Sequence, residues 1–365
     1  MAAGLGGAPG RHGVRLGEQP MDVAFHPFGP VAAAGLVDGS AEVCAWEPAE
    51  RSAAATARFA CHPASCRAVR FSPDGGTLLT AAADGAWGAT DVDSGALAHL
   101  ERPAGAAEGG GAGPPAPAIN RLETVGADCL AAGDDDGAVA LWDRRQRRAV
   151  CTYGPHTDFI ADLAWAERDR TLLAASGDGT LSVFDLRRQR CVARSEDDTD
   201  DEFLAVAVVK GGKKVVCGSG GGVLNLFSWG YWNDCSDRFP GHPEAVEAVV
   251  KLDEDTVATG SADGVLRVVS ILPNRLVGVV GAHMDCPIER LAHFAGPGGG
   301  GGLLASASHD SVLKFWPLDE DSAESEEEDE EGDGEAAGRR KRRRQAGAKS
   351  TDVAVRGRQE FFADL

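Results

Sequence analysis

Between Leu172 and Arg190 the chain reads LLAASGDGTLSVFDLRRQR. Small and apolar residues alternate up to Ser176, Asp178-Gly179 interrupts them, and a second alternating run from Thr180 to Phe184 ends at Asp185. A period of two turns one face of each run toward a core and the other outward, which predicts a β-hairpin. The Asp-Gly pair predicts a two-residue type I′ turn with positive φ at both central residues. The turn recurs at Asp38-Gly39, Asp84-Gly85, Asp136-Gly137 and Asp263-Gly264, with Gly221-Gly222 and Asp310-Ser311 as degenerate copies. Successive copies stand 46, 52, 42, 43, 42 and 47 residues apart. A repeat of about 42 residues accommodates four short strands, so seven copies predict an all-β, seven-bladed propeller. The longest intervals contain RPAGAAEGGGAGPPAP and GPGGGGG, whose glycines and prolines predict surface loops.

The domain plan is a disordered N-terminus over 1–10, one propeller over 11–318 with blades centred on turns at 38, 84, 136, 178, 221, 263 and 310, and a disordered tail over 319–365. The stretch GRHGVRLGEQ ahead of blade one is mildly β-like, and Val14 to Gly17 are expected to pair beside Leu313 to Trp316, completing the last blade and removing open sheet edges. Six residues after each turn stands the position that a WD repeat fills with Trp: Cys44, Thr90, Trp142, Phe184, Phe227, Val269 and Trp316. His62, His156, His242 and His283 precede Asp84, Asp178, Asp263 and Asp310 at similar distances. This predicts a buried His to Asp hydrogen bond in four blades, since a buried carboxylate needs a partner. Four repeats in register read as architecture rather than as catalytic or metal sites. Blade three lacks the histidine, leaving Asp136 without that partner. Blade five lacks both residues, and LFSWGYWND offers Phe227, Trp229, Tyr231 and Trp232 as cover for its outer edge.

Charge then separates the two faces. Turns and histidine loops share one face, and the loops after the Trp position lie on the other. On that far face WDRRQRR and FDLRRQR, from neighbouring blades, predict a positive patch. On the near face one position early in each inner strand is expected at the channel mouth: Met21, Arg67, Asn120, Ala161, Leu204, Glu247 and Glu289. Glu247 and Glu289 make a basic segment of a partner protein the expected ligand there, with Arg67 as a further contact. The nearby SEDDTDDE repels nucleic acid.

Nine cysteines without a Cys-x-x-Cys pair argue against a disulfide framework or a zinc site and for buried thiols in a reducing compartment. No apolar leader and no run of about 18 apolar residues occurs, so a soluble intracellular protein without membrane contact is expected. No phosphate-binding glycine loop, His-x-x-x-His pair or serine elbow appears, and neither cofactor, metal nor enzymatic activity is expected.

The tail supplies much of the net charge of -20. LDEDSAESEEEDEEGDGE cannot bury enough apolar surface to order itself. Ser322 and Ser325 within it are candidate phosphorylation sites for an acidophilic kinase. Arg339, Arg340, Lys341, Arg342, Arg343 and Arg344 form an uninterrupted basic run that reads as a nuclear localisation signal or a nucleic-acid contact. The closing QEFFADL, with Phe361, Phe362 and Leu365, reads as a short docking motif.

Specific runs carry a resemblance. DVAFHP, LVDGSAEVCAW, IADLAW, ASGDGTLSVFDL, KKVVCGS, GSADGVLRVVSILPNRLVGVVG, ASASHDSVLKFW and the terminal FFADL together resemble the WD repeat-containing protein 55 family over nearly all of the propeller, most specifically at ILPNRLVG. The resemblance implies a seven-bladed WD40 propeller and a nonenzymatic scaffold of the nucleolus; a monomer found in the nucleus and nucleolus, with the cytoplasm as a further location, is expected. Its implied partners are nucleolar proteins of ribosome assembly, and its implied role is in rRNA production and ribosome biogenesis, with direct RNA contact open. Trp142, Asp143 and Arg145 resemble the Trp-Asp-x-Arg box by which WD proteins dock the adaptor of cullin-4 ubiquitin ligases, and Phe184, Asp185 and Arg187 form a second, weaker copy. A substrate receptor of such a ligase is therefore the alternative.

Overall fold

The computed structural model describes residues 12–101, 116–196, 201–296 and 302–318. The expectations for residues 1–10, most of the two glycine-rich insertions and the whole tail fall outside these ranges. Among the described residues all regular structure is β, in seven antiparallel sheets of four strands. Blades one to six each run outward in chain order: Pro20–Ala60, Cys66–Glu101, Ile119–Tyr153, Ile160–Arg194, Phe203–Pro240 and Val246–Ala282. Blade seven takes three strands from Ile288–Pro317 and its outer strand from the other end of the chain, strand β1 (Gly13–Arg15).

That closure is the expected one, with the paired residues beginning one and ending two positions earlier than expected. Gly13, Val14 and Arg15 pair with Lys314, Leu313 and Val312, and bonds from Leu16 N to Ser311 O and Phe315 N to His12 O extend the seam. The hydrophobic core is divided into one cluster per seam between blades. The closing seam packs Val14, Leu16 and Trp46 against Phe315 and Leu303. The seam between blades four and five sets Leu173 and Val183 against Val215 and Phe227. The Trp-equivalent positions fill these seams: Cys44, Thr90, Trp142, Phe184, Phe227 and Val269 are buried, and Trp316 is half-buried.

The hairpin turns differ from the expected type I′ form. In each Asp-Gly loop the glycine alone is left-handed, with φ from 72° at Gly85 to 88° at Gly39, while the aspartate keeps a negative φ. The loop is three residues long: Gly179 N bonds to Ser176 O at 3.1 Å and Ser176 N to Thr180 O at 3.2 Å. The aspartate decides this. Its carboxylate accepts the backbone N–H two residues on, Thr180 N to Asp178 at 3.1 Å and Ser40 N to Asp38 at 3.0 Å, a bond that favours an ordinary turn conformation at Asp and passes the left-handed position to Gly. A Cβ at Gly39 would lie 2.3 Å from His62 O, so the next blade's loop also needs the missing side chain.

Candidate interaction surfaces

The face that carries the turns is held by the histidines, but not by one uniform bond. Blade seven has the full chain: Trp316 Nε1 donates to Ser306 Oγ at 2.8 Å, His283 Nε2 meets Ser306 at 2.7 Å, and His283 Nδ1 meets Asp310 at 2.8 Å. In blade four His156 Nδ1 stands 3.1 Å from Asp178. Burial opposes ionisation of Asp178, yet hydrogen bonds from His156, Thr180 and Thr157 hold its carboxyl well below the usual range. In blade two His62 bonds Thr80 at 2.8 Å, and its Nδ1 stands 3.9 Å from Asp84, outside hydrogen-bond range. Blade six departs from the expected pairing. His242 bonds Thr259 at 2.8 Å, and Asp263 is instead held by Arg267 at 2.5 Å. Arg58 and Arg194 reach Asp38 and Asp178 in the same way, at 2.5 and 2.8 Å. These arginines were not anticipated, although spacing on the adjacent strands places them on the aspartate's side of the sheet. Where blades three and five lack the usual set, Asp134 accepts the amides of Asp136 and Ala138, and Asp201 accepts the amide of Gly221.

All seven mouth residues share one backbone feature. Each inner strand skips one residue in its pairing: Pro20 faces Leu36 and Asp22 faces Gly35, so Met21 has no partner. The same one-residue bulge falls on Arg67, Asn120, Ala161, Leu204, Glu247 and Glu289. Bulges turn side chains out of the pleat. Met21, Arg67, Asn120, Ala161 and Glu289 line a cavity of about 210 Å³. Arg67 is tied to Asn120 at 2.6 Å and Asp135 at 3.1 Å. Across the mouth, Glu289 accepts from His309, and burial pushes the Glu247 carboxyl up to about 7, with Glu289 and Glu202 adding to the shift. A cation placed there would relieve that repulsion.

Below the mouth the axis is filled by charges the sequence reading missed. In four blades the residue after the bulge is charged, Asp22, Arg121, Asp162 or Arg290, and these side chains reach one another's blades. Arg121, 1% exposed, donates to Ala161 O at 2.7 Å and stands 3.6 Å from both Asp22 and Asp162. Arg70 bridges Asp22 at 2.9 Å and Glu123 at 3.2 Å. Arg290 reaches Glu247 O at 2.7 Å and, across the channel, Ala161 O at 3.4 Å. The carboxylates also bind the next blade's backbone, Val69 N to Asp22 at 3.0 Å and Val206 N to Asp162 at 2.9 Å. These contacts form a polar lock between blades.

On the far face, Trp142 and Phe184 are buried in the seams and Asp143 and Asp185 serve their own loops. Asp143 accepts the amides of Arg145 and Gln146, both at 2.9 Å, and Asp185 those of Arg187 and Arg188, at 2.9 and 3.2 Å. Of each Trp-Asp-x-Arg box only Arg145 or Arg187 is presented to solvent. Ser322, Ser325 and Arg339 to Arg344 lie outside the described residues. Among the described residues no group of three His, Cys, Asp or Glu side chains could hold a metal ion.

Seven four-stranded blades, a His–Asp-tied turn face and a ring closed by the N-terminal strand define a WD40-repeat propeller. The WDR55 family profile matches residues 12–320, and the chain belongs to that family. It is 41% identical over 309 residues to WD repeat-containing protein 55 of Arabidopsis thaliana, covering 84% of this chain and 82% of that protein. It is 41% identical over 298 residues to the Homo sapiens protein of the same name, covering 81% and 73%. It is also 34% identical over 313 residues to WD repeat-containing protein JIP5 of Cryptococcus neoformans, covering 84% and 82%.

Proposed function

We propose that this chain is a nonenzymatic scaffold of the nucleus and nucleolus that modulates rRNA synthesis and processing by holding proteins of ribosome assembly on its faces. The observation that carries the reading is the family match over the entire propeller. The architecture supports it. The buried histidines are engaged in tying turns, the axis is filled, and what remains for ligands is an acidic half-mouth on one face and arginine loops on the other. The near face suits a basic segment of a partner at Glu247 and Glu289. Import through Arg339 to Arg344 and phosphorylation of Ser322 and Ser325 belong to the same reading.

A second reading, a cullin-4 ligase substrate receptor, is favoured by one observation. Arg145 and Arg187 project from turns locked by Asp143 and Asp185, as a docking box requires. Affinity purification from nuclear extract, with and without nuclease, of wild type and the Arg145→Ala, Arg187→Ala variant separates the two. The scaffold reading expects preribosomal proteins with both forms; their absence from both overturns it. Recovery of the ligase adaptor with wild type and its loss with the variant establishes the second reading.

A further inference from the structure

The far face carries more basic charge than a docking box uses, in a chain whose net charge is -20. Blade three presents Arg145, Arg147 and Arg148, and blade four presents Arg187, Arg188 and Arg190, all exposed. The other far-face loop of blade four adds Arg168 and Arg170, and that of blade five adds Lys213. The neighbouring carboxylates offset only part of this, since they are fewer than the arginines of the same two loops. Asp143 and Asp185 are committed to backbone amides. Arg145 stands 3.5 Å from Asp128 and Arg188 3.4 Å from Asp185, and exposed pairs of this kind are weak. Glu167 and Asp169 are exposed acids of blade four, Glu254 and Asp255 stand beside the blade-five loop, and Asp234 and Asp237 follow Tyr231. Of these Glu167 accepts from Trp165 Nε1, Asp255 from Lys210, Glu254 from Gly211 N and Asp237 from Asn274, which leaves the two arginine loops as the most basic part of the face.

Two further features give the charge a pattern. The arginine loops are conformational copies, with the left-handed position at Arg147 (φ 53°) and at Gln189 (φ 50°), so the guanidinium groups recur from one blade to the next. In the following blade the same loop presents Tyr231, 78% exposed. Its base is rigid: Tyr231 N bonds to Ser228 O at 2.9 Å, and Trp229 and Trp232 meet edge to face at 5.1 Å while packing on the seam with blade four. Repeated cations followed by a displayed aromatic ring match a single-stranded polynucleotide, whose phosphates repeat and whose bases offer a stacking face.

We propose that the far face of blades three to five binds single-stranded RNA, with phosphates along the two arginine loops and a base stacked on Tyr231. The choice of RNA over DNA rests on the ribosome-assembly reading above. The ligase box uses Arg145 and Arg187, whereas the RNA surface also needs Arg148, Arg190, Lys213 and Tyr231, none of them part of the box.

The test is fluorescence anisotropy of a labelled mixed-sequence 20-mer RNA with the full chain, in which Arg339 to Arg344 are replaced by Gln so that the tail's charge does not report. Reversal at Arg148→Glu, Arg190→Glu and Lys213→Glu, with Arg145 and Arg187 intact, is expected to weaken binding at least tenfold. It should also lower the slope of log affinity against log salt by about 2, at about 0.7 per lost phosphate contact. Tyr231→Ala is expected to weaken binding about fivefold or more and Tyr231→Phe to retain it, since stacking needs the ring and not the hydroxyl. Arg15→Glu, on the exposed side of β1 in blade seven, should leave binding unchanged, and unaltered thermal melting of the variants excludes unfolding as the cause. Absence of binding, or binding indifferent to the triple reversal, overturns the proposal. DNA of the same sequence bound as tightly as RNA overturns the choice of RNA, while recovery of preribosomal proteins, measured separately, decides the scaffold reading.

Discussion

Glu247 keeps its proton up to about pH 7 in the folded chain, because burial and then Glu289 and Glu202 oppose its charge. In the unfolded chain it ionises near 4.3. Between these values the unfolded state has released a proton that the folded state retains, so this group's contribution to stability falls as pH rises from about 4.5 to 7. Glu247→Gln is therefore expected to raise the melting temperature at pH 7.5 and to lose that advantage at pH 4, checked by calorimetry across the range. The histidines give a second contrast. His283→Ala strips partners from both Asp310 and Ser306 and is expected to cost about 2–4 kcal/mol, whereas in His242→Ala the salt bridge from Arg267 to Asp263 survives and the cost is about 1–2 kcal/mol, read from denaturant midpoints. Spacing made the four histidines legible in the sequence. It did not show which partner each ring takes, because Arg267 competes for Asp263 through space, and Thr259 wins the ring by geometry that a count of residues does not contain.

At the scale of single strands, β1 contributes three pairs to blade seven, and Val14 is the side chain it buries. Val14→Asp places a charge in the closing seam and is expected to free β1, lower the melting temperature by several degrees and expose the edge of the strand Val312–Pro317 to pairing with other chains. Concentration-dependent light scattering that appears in this variant and not in Arg15→Ala would show it; equal scattering from both would count against it. The β1 pairing was readable because an alternating stretch stood outside the seven repeats. The turn type was not, since Asp-Gly suits either a two-residue or a three-residue loop, and the aspartate's bond to the amide two residues on selects the longer one. The seven bulges were likewise invisible: a skipped residue leaves no mark on alternation when the strand resumes immediately afterward.

For the molecule as a whole, Arg121 is the point where blades one, three and four meet. Arg121→Met is expected to cost about 3 kcal/mol, because half-buried Asp162 loses its nearest cation while Asp22 keeps Arg70. The cost should be smaller at pH 5 than at pH 8: burial already raises the Asp162 carboxyl, and an unpaired buried carboxyl accepts a proton more readily as pH falls. Chemical denaturation of the variant at both pH values measures the difference, and equal costs would refute the coupling. Ring closure was legible from the repeat, but the axial lock was not, since residues 22, 121 and 162 become neighbours only once the blades close around the axis. The bulged mouth has one more consequence. Met21 and its six counterparts are the inner-strand positions that the pairing ladder passes over, and all but the buried Ala161 are partly open to solvent, so strand register does not dictate what they are. Recognition at this rim can therefore be rewritten one residue at a time, by selection or by design, with the ladder of strand pairs left intact.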